Sequence, residues 1–108
     1  MKKGKRPCHA QGKWEDWFGT VSQKYPVLLT EWGFMDENRA GAPGYLVGSR
    51  ASYGEPLIQY LDAHDIGWIA SWYDDTWEPP MFDPGWDTTT RYGEFVLEQL
   101  QLQDQSGY

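Results

Sequence analysis

Two apolar runs set between amphipathic stretches constrain this chain more than any other feature of its sequence. They are Val27-Leu28-Leu29 and "IGWIASWY", residues 66–73. A strand with one wet face alternates apolar and polar residues, whereas a strand covered on both faces reads as an unbroken apolar run, the pattern of parallel sheets. Both runs predict covered strands. Before the first, "KWEDWFGTVSQKY" places Trp14, Trp17, Phe18 and Val21 at i, i+3, i+4 and i+7, one apolar stripe of a helix that Pro26 ends. Between the runs, residues 52–64 predict a helix with Leu57, Ile58 and Leu61 inward and Pro56 confined to its first turn. A last helix is predicted over 91–102, with Tyr92, Phe95, Val96 and Leu100 as its stripe. The order is helix, strand, helix, strand, helix.

That order gives parallel strands joined by right-handed crossovers, so the segments after both strands leave from one edge. Both are long: "GFMDENRAGAPGYLVGSRAS" and "DDTWEPPMFDPGWDTT". The carboxyl edge of such sheets is where ligands bind. Glu31, at the end of "VLLTE", and residues Trp72 to Asp75 after the second strand therefore face one candidate site. A glutamate at a strand end also serves as an ordinary ion-pairing or capping group, and position alone leaves both readings open.

Aromatic residues crowd this predicted rim: Trp32, Phe34, Tyr45, Trp68 or Trp72, Tyr73, Trp77, Phe82 and Trp86. A sugar ring, with an apolar face and an edge of hydroxyls, suits flat indoles beside carboxylate acceptors such as Asp74. Trp14, Trp17 and Tyr92, at helical spacing, belong instead to the core, as do some of the rim residues; Trp77 and Trp86 are the hardest to bury.

Charge narrows the partners. A formal net charge of -7 on 108 residues repels nucleic acid and anionic membranes and favours neutral or cationic ligands. No run reaches membrane-spanning length, no signal peptide is visible, and "MKKGKRP" reads as a solvated basic terminus over residues 1–12. A single cysteine, Cys8, excludes an internal disulfide. No metal or other cofactor is expected, since Cys8 and His9 adjoin at a terminus and His64 stands alone near a helix end.

"KYPVLLTEWGF", its preceding helix, "IGWIASWYDDTWEPPMF" and "TTTRYGEFVLEQL" together resemble the seventh and eighth β/α units of glycoside hydrolase family 5, the cellulase-like retaining enzymes of clan A. The resemblance covers residues 13–102, with 103–108 a polar tail. It implies an α/β fold that is part of a (β/α)8 TIM barrel, namely its last two strands with their flanking helices. It implies that Glu31, followed by Trp32 and Gly33, is the catalytic nucleophile, and that the partner is a β-linked glycan or glycoside held by Trp72, Trp32, Trp77 and Asp74. By family habit it also implies an extracellular location.

The match departs from the family in three places. A sixth-strand motif of histidine, any residue and an aromatic is expected ahead of the first helix, and its nearest candidate, His9 in "PCHAQ", lacks the aromatic and sits too close to that helix. The tryptophan that floors the cleavage subsite aligns with Ser71, one residue before Trp72, so the register there is open between the two. The general acid and base of the family follows an asparagine at the end of a fourth strand, and no Asn-Glu pair occurs in this chain. The expectation is therefore a fragment of a retaining β-glycosidase, inactive and poorly stable or self-associating unless the upstream barrel segment joins it. Two other readings remain open: a carbohydrate-binding remnant without catalysis, and a small structural α/β domain in which Glu31 pairs with Arg39 or Arg91.

Overall fold

The computed structural model describes residues 11–105; the expectations placed on the basic terminus, Cys8 and His9 lie outside them. The observed order of elements is the predicted one. Helical backbone begins in a 3-10 turn at Gln11–Lys13, widens into π-type turns over Glu15–Gly19, and ends in a single α-helical turn, α1, at Thr20–Ser22. Strand β1 is Leu28–Leu29. A π-type turn at Arg50–Gly54, capped by the Ser49 hydroxyl, runs directly into helix α2, Glu55–Ala63, with Pro56 in its first turn as required. Strand β2 is Gly67–Trp68. Helix α3, Arg91–Gln105, starts where predicted and continues three residues past Leu102 into the expected polar tail. The Thr90 hydroxyl accepts the Gly93 N–H at 3.0 Å and caps α3.

β1 and β2 pair in parallel, Leu28 opposite Gly67 and Leu29 opposite Trp68. Side chains alternate along a strand, so Leu29 and Trp68 share the face packed against the helices, while Leu28 and Ile69 share the other. The sequence predicts cover on both faces. The structure covers one, leaving Leu28 55% and Ile69 50% exposed.

The covered face carries a largely aromatic core. Trp32 packs edge-to-face against Trp68, Tyr92 and Phe95, and Phe34 packs against Tyr53 and Tyr92. Leu57, Ile58 and Leu61 of α2 and Tyr92, Phe95 and Val96 of α3 complete it as their spacing predicts. Three stripe residues fall outside it. Trp17 is 60% exposed and Val21 is also exposed, although Trp14 is buried and Phe18 packs on the core. The widened turn explains this: the Thr20 N–H bonds back to Glu15 O, five residues away, so the i+3 and i+7 positions rotate off the face that Trp14 occupies. On α3, Leu100 is likewise exposed, lying beyond the last buried stripe residue, Val96.

Candidate functional site

Glu31 lies just past the carboxyl end of β1, where pairing with the second strand continues but its register changes. The Ile69 N–H donates to Leu29 O at 2.8 Å, and the Ser71 N–H donates to Trp32 O at 3.1 Å. Two residues advance on one chain against three on the other, so an extra residue is taken up at Thr30-Glu31 as a bulge. Unbroken alternation from Leu29 would aim Glu31 into the core and Trp32 onto the open face. The bulge reverses this: Trp32 is buried, at 5% exposure, and Glu31 is exposed. Its carboxylate forms no hydrogen bond or ion pair with the described residues.

Trp32, expected among the substrate-binding residues, is therefore a core residue on this chain. Its indole N–H is buried without an acceptor among the described residues. Gly33 follows because the chain passes hard against its neighbours there: a Cβ would lie 2.5 Å from Pro79 Cγ and 2.8 Å from both Ser71 O and Tyr92 Cζ. The order acid, tryptophan, glycine thus has one local reason for each residue: an outward carboxylate, an inward ring, and a glycine where two rim segments touch.

At the end of the second strand, Ser71 is buried and Trp72 is half-buried, with a cis peptide bond between them. Trp72 packs edge-to-face on Trp77, ring centroids 5.7 Å apart, so the structure brings two of the expected sugar-binding residues together. Backbone bonds fold the loop onto Trp72: its N–H donates to Pro79 O at 3.1 Å, and its carbonyl accepts from Asp74 N at 2.8 Å and Met81 N at 3.1 Å. Trp77 itself is 66% exposed. Asp74 serves the loop: one carboxylate oxygen accepts the N–H of Trp77 at 2.8 Å, the N–H of Thr76 at 2.9 Å and the Thr76 hydroxyl at 3.1 Å. These bonds, the Trp77 N–H first, hold its carboxyl below the ordinary range.

Beyond this turn, Tyr73, Phe82 and Trp86 form a second aromatic group, with centroids 4.9 to 5.9 Å apart. The loop closes beneath it through the Phe82–Thr89 bridge and an Asp83 carboxylate that takes the Thr88 hydroxyl at 2.7 Å. Arg39 reaches the other oxygen of Asp83 at 2.9 Å, and Arg91 meets Asp36 at 2.9 Å, so two ion pairs tie the rim loops together. Both arginines that the structural reading assigns to Glu31 are thus engaged by other carboxylates. That pairing is not formed. A cavity of about 260 Å³, lined by both polar and apolar side chains, lies between the loops beside these pairs, and Glu31 does not line it.

No sequence pattern announces the central tie at this rim. The Tyr92 hydroxyl lies 2.6 Å from Trp32 O and 2.7 Å from Ser71 O, spanning the two strand ends. Burial raises its pKa far above the ordinary phenol range. The only signal for it was position, one turn into the helix that follows the second loop. Among the described residues no cluster of His, Cys, Asp or Glu suits a metal ion, and no helix is long and apolar enough to cross a membrane. His64 is occupied locally, its ring stacked on Tyr60 at 3.9 Å and its Nδ1 2.9 Å from Tyr60 O.

No protein-family model and no curated protein matches the chain. Among solved structures, it is similar to the native form of the β-glucanase SdGluc5_26A from Saccharophagus degradans, with 25% identity and a TM-score of 0.71, covering 86% of this chain and 27% of that one. Against the same β-glucanase in complex with cellotetraose, identity is 22% and the TM-score 0.74, covering 96% and 30%. The chain thus spans less than a third of the length of the enzyme it is similar to, and its fold is glycoside hydrolase-like.

Proposed function

We propose that the chain is the C-terminal part of a retaining β-glycosidase and that Glu31 is its nucleophile. The observation that carries this is an exposed carboxylate, without a partner among the described residues and turned outward by a bulge, at the carboxyl end of the first of two parallel strands in a chain that folds like part of a β-glucanase. The bare apolar face at Leu28 and Ile69 supports it. In a closed (β/α)8 barrel that face packs against side chains from the other strands, which accounts for apolar runs covered here on one side only.

In this reading Glu31 attacks the anomeric carbon as the glycosidic C–O bond breaks, giving a covalent glycosyl-enzyme. A second carboxyl group, contributed by an upstream strand, protonates the departing oxygen. Water, deprotonated by that same group, then releases the sugar with retained configuration. Trp72 and Trp77 form an aromatic wall for the sugar, and Asp74 sets the loop that presents Trp77. Substrates are β-linked glucans or glucosides.

The test is to express the chain together with whatever its open reading frame encodes upstream and treat it with an activated 2-deoxy-2-fluoro β-glucoside, whose fluorine slows release of the covalent intermediate. A stable adduct on the peptide containing Glu31 supports the reading. An adduct on another carboxylate, or turnover of an aryl β-glucoside that persists in Glu31→Gln, overturns it.

The exposed aromatic loop favours a second reading, glycan binding without hydrolysis. It predicts sugar binding by the same polypeptide with no adduct and no product.

A further inference from the structure

We propose that Tyr73 and Trp86 form a second glycan-binding platform, separate from the Trp72–Trp77 wall, that takes a β-glucan chain beyond the sugars at Glu31. The proposal rests on the glycan-handling reading above and adds residues and a surface to it. Tyr73 is 76% exposed and Trp86 is exposed beside it, their rings 5.9 Å apart and inclined at 45°. Phe82, half-buried, supports both, at 5.0 Å from Tyr73 and 4.9 Å from Trp86. Trp72 and Tyr73 are consecutive but join different aromatic groups, so the loop presents rings in two directions.

The loop tip is built to hold Trp86 outward. Gly85 and Trp86 both have positive φ, 95° and 68°. A bulky residue in that region is strained unless its surroundings impose it. Here they do: the Asp75 carboxylate accepts the Gly85 N–H at 2.8 Å, and the Trp86 N–H donates to Asp83 O at 3.0 Å.

The surroundings of the rings decide the occupant. Asp75, which accepts the Gly85 N–H through one oxygen, and Asp87, which has no partner among the described residues, lie beside the platform, while both oxygens of Asp83 are taken by Arg39 and Thr88. An apolar protein surface seated here would strip water from these carboxylates and return no hydrogen bonds, which is costly. A sugar presents an apolar ring face to the aromatics and donates its hydroxyls to the carboxylates around them. A polyanion is repelled by the same charges. A neutral, hydroxyl-rich ring polymer fits both features.

The experiment uses the polypeptide of the adduct test in a Glu31→Gln background, so that the probe, cellohexaose, survives. Affinity in the parent and in every variant is measured by isothermal titration calorimetry, and in the parent the site of binding is read on the indole N–H signal of Trp86, assigned by its absence in Trp86→Phe. The expected result is a shift of that signal on titration, with the dissociation constant raised about tenfold by Trp86→Ala and by Tyr73→Ala, and little changed by Trp86→Phe, which keeps a ring. Unchanged affinity in both alanine variants overturns the platform, and if the Glu31 adduct still forms, the proposed function stands without it. An indole already shielded from a soluble paramagnetic agent before sugar is added also overturns it, because protein then covers the surface. Absence of both cellohexaose binding and adduct sinks the two together.

Discussion

Tyr92 holds Trp32 twice: its ring meets the indole edge-to-face at 5.5 Å, and its hydroxyl lies 2.6 Å from the Trp32 carbonyl oxygen. The same hydroxyl lies 2.7 Å from Ser71 O, so one side chain of α3 joins the ends of both strands directly beside Glu31. Tyr92→Phe keeps the ring and removes the single O–H donor that two buried carbonyls share, while Trp32 O keeps the Ser71 N–H. It is expected to cost about 1 to 3 kcal/mol, read as a lower urea midpoint at unchanged slope. Because both strand ends are released, the proposed function predicts that the polypeptide of the adduct test also loses turnover in this variant at temperatures where it remains folded. A midpoint within error of the parent would mean that the hydroxyl does not tie the rim.

Stability should fall at both ends of the pH scale, for different reasons. Burial raises the Tyr92 pKa, and burial with the Glu15 hydrogen bond pushes Tyr60 up to about 12. The unfolded chain therefore gives up these protons first: their contribution is complete below about pH 10 and is lost as pH rises above it. At the acid end, the Thr88 hydroxyl and Arg39 hold the Asp83 carboxyl low, and Arg50 does the same for Glu98. Those contributions hold at neutral pH and disappear as pH falls through about 4 and below. Thermal midpoints from pH 3 to 11 test this, and Tyr92→Phe should flatten the alkaline limb.

Gly33→Ala tests the close approach at the rim. Its Cβ would crowd Pro79, Ser71 and Tyr92 together, two of them within 2.8 Å through a backbone oxygen and a ring carbon. Neither yields easily, so the expected loss is about 1 to 3 kcal/mol. Gly12→Ala, where nothing lies within 4 Å, is the control and should be near neutral.

How much of this was legible in the sequence follows from what each feature depends on. Periodicity located all three helices and both strands, and Pro56 and Arg91 marked two helix starts correctly, because those signals are local. The resemblance pointed to a glycoside hydrolase-like fold before the likeness to a β-glucanase bore it out at that level. Trp32, placed on the rim because it follows the strand end, is buried because a bulge turns it inward, and nothing in "LLTEWG" announces the extra residue. Trp17 misled because a π-type turn changes the period on which the stripe was counted. The Tyr92 tie joins residues 60 and 21 positions apart, and no local pattern encodes it.

The bare sheet face makes the isolated chain prone to self-association. Leu28 and Ile69 stand exposed on one face of a two-stranded sheet, and edge strands are templates for pairing with another chain. Sedimentation at rising concentration should show the chain associating, and Leu28→Lys with Ile69→Lys should shift it towards monomer. A monomer at all concentrations would mean that this face needs no cover.

Glu31→Gln separates the functional from the structural reading of the residue. An ion-paired glutamate at a strand end stabilises the fold, and its loss leaves a cation unsatisfied. Glu31 has no such partner among the described residues, since Arg39 is held by Asp83 and Arg91 by Asp36. Its exposed carboxylate should therefore be replaceable at a change within about 0.5 kcal/mol, and removal of a charge kept for chemistry can even stabilise. The proposed function predicts that in the polypeptide of the adduct test the same change abolishes the covalent adduct and lowers aryl β-glucoside turnover by orders of magnitude, because an amide is a poor nucleophile and a poor leaving group. Differential scanning calorimetry and turnover, measured on the same preparations, distinguish the cases. Loss of stability with turnover intact would return Glu31 to a structural role; loss of turnover at unchanged stability is the signature of a residue held in place by the bulge for its chemistry.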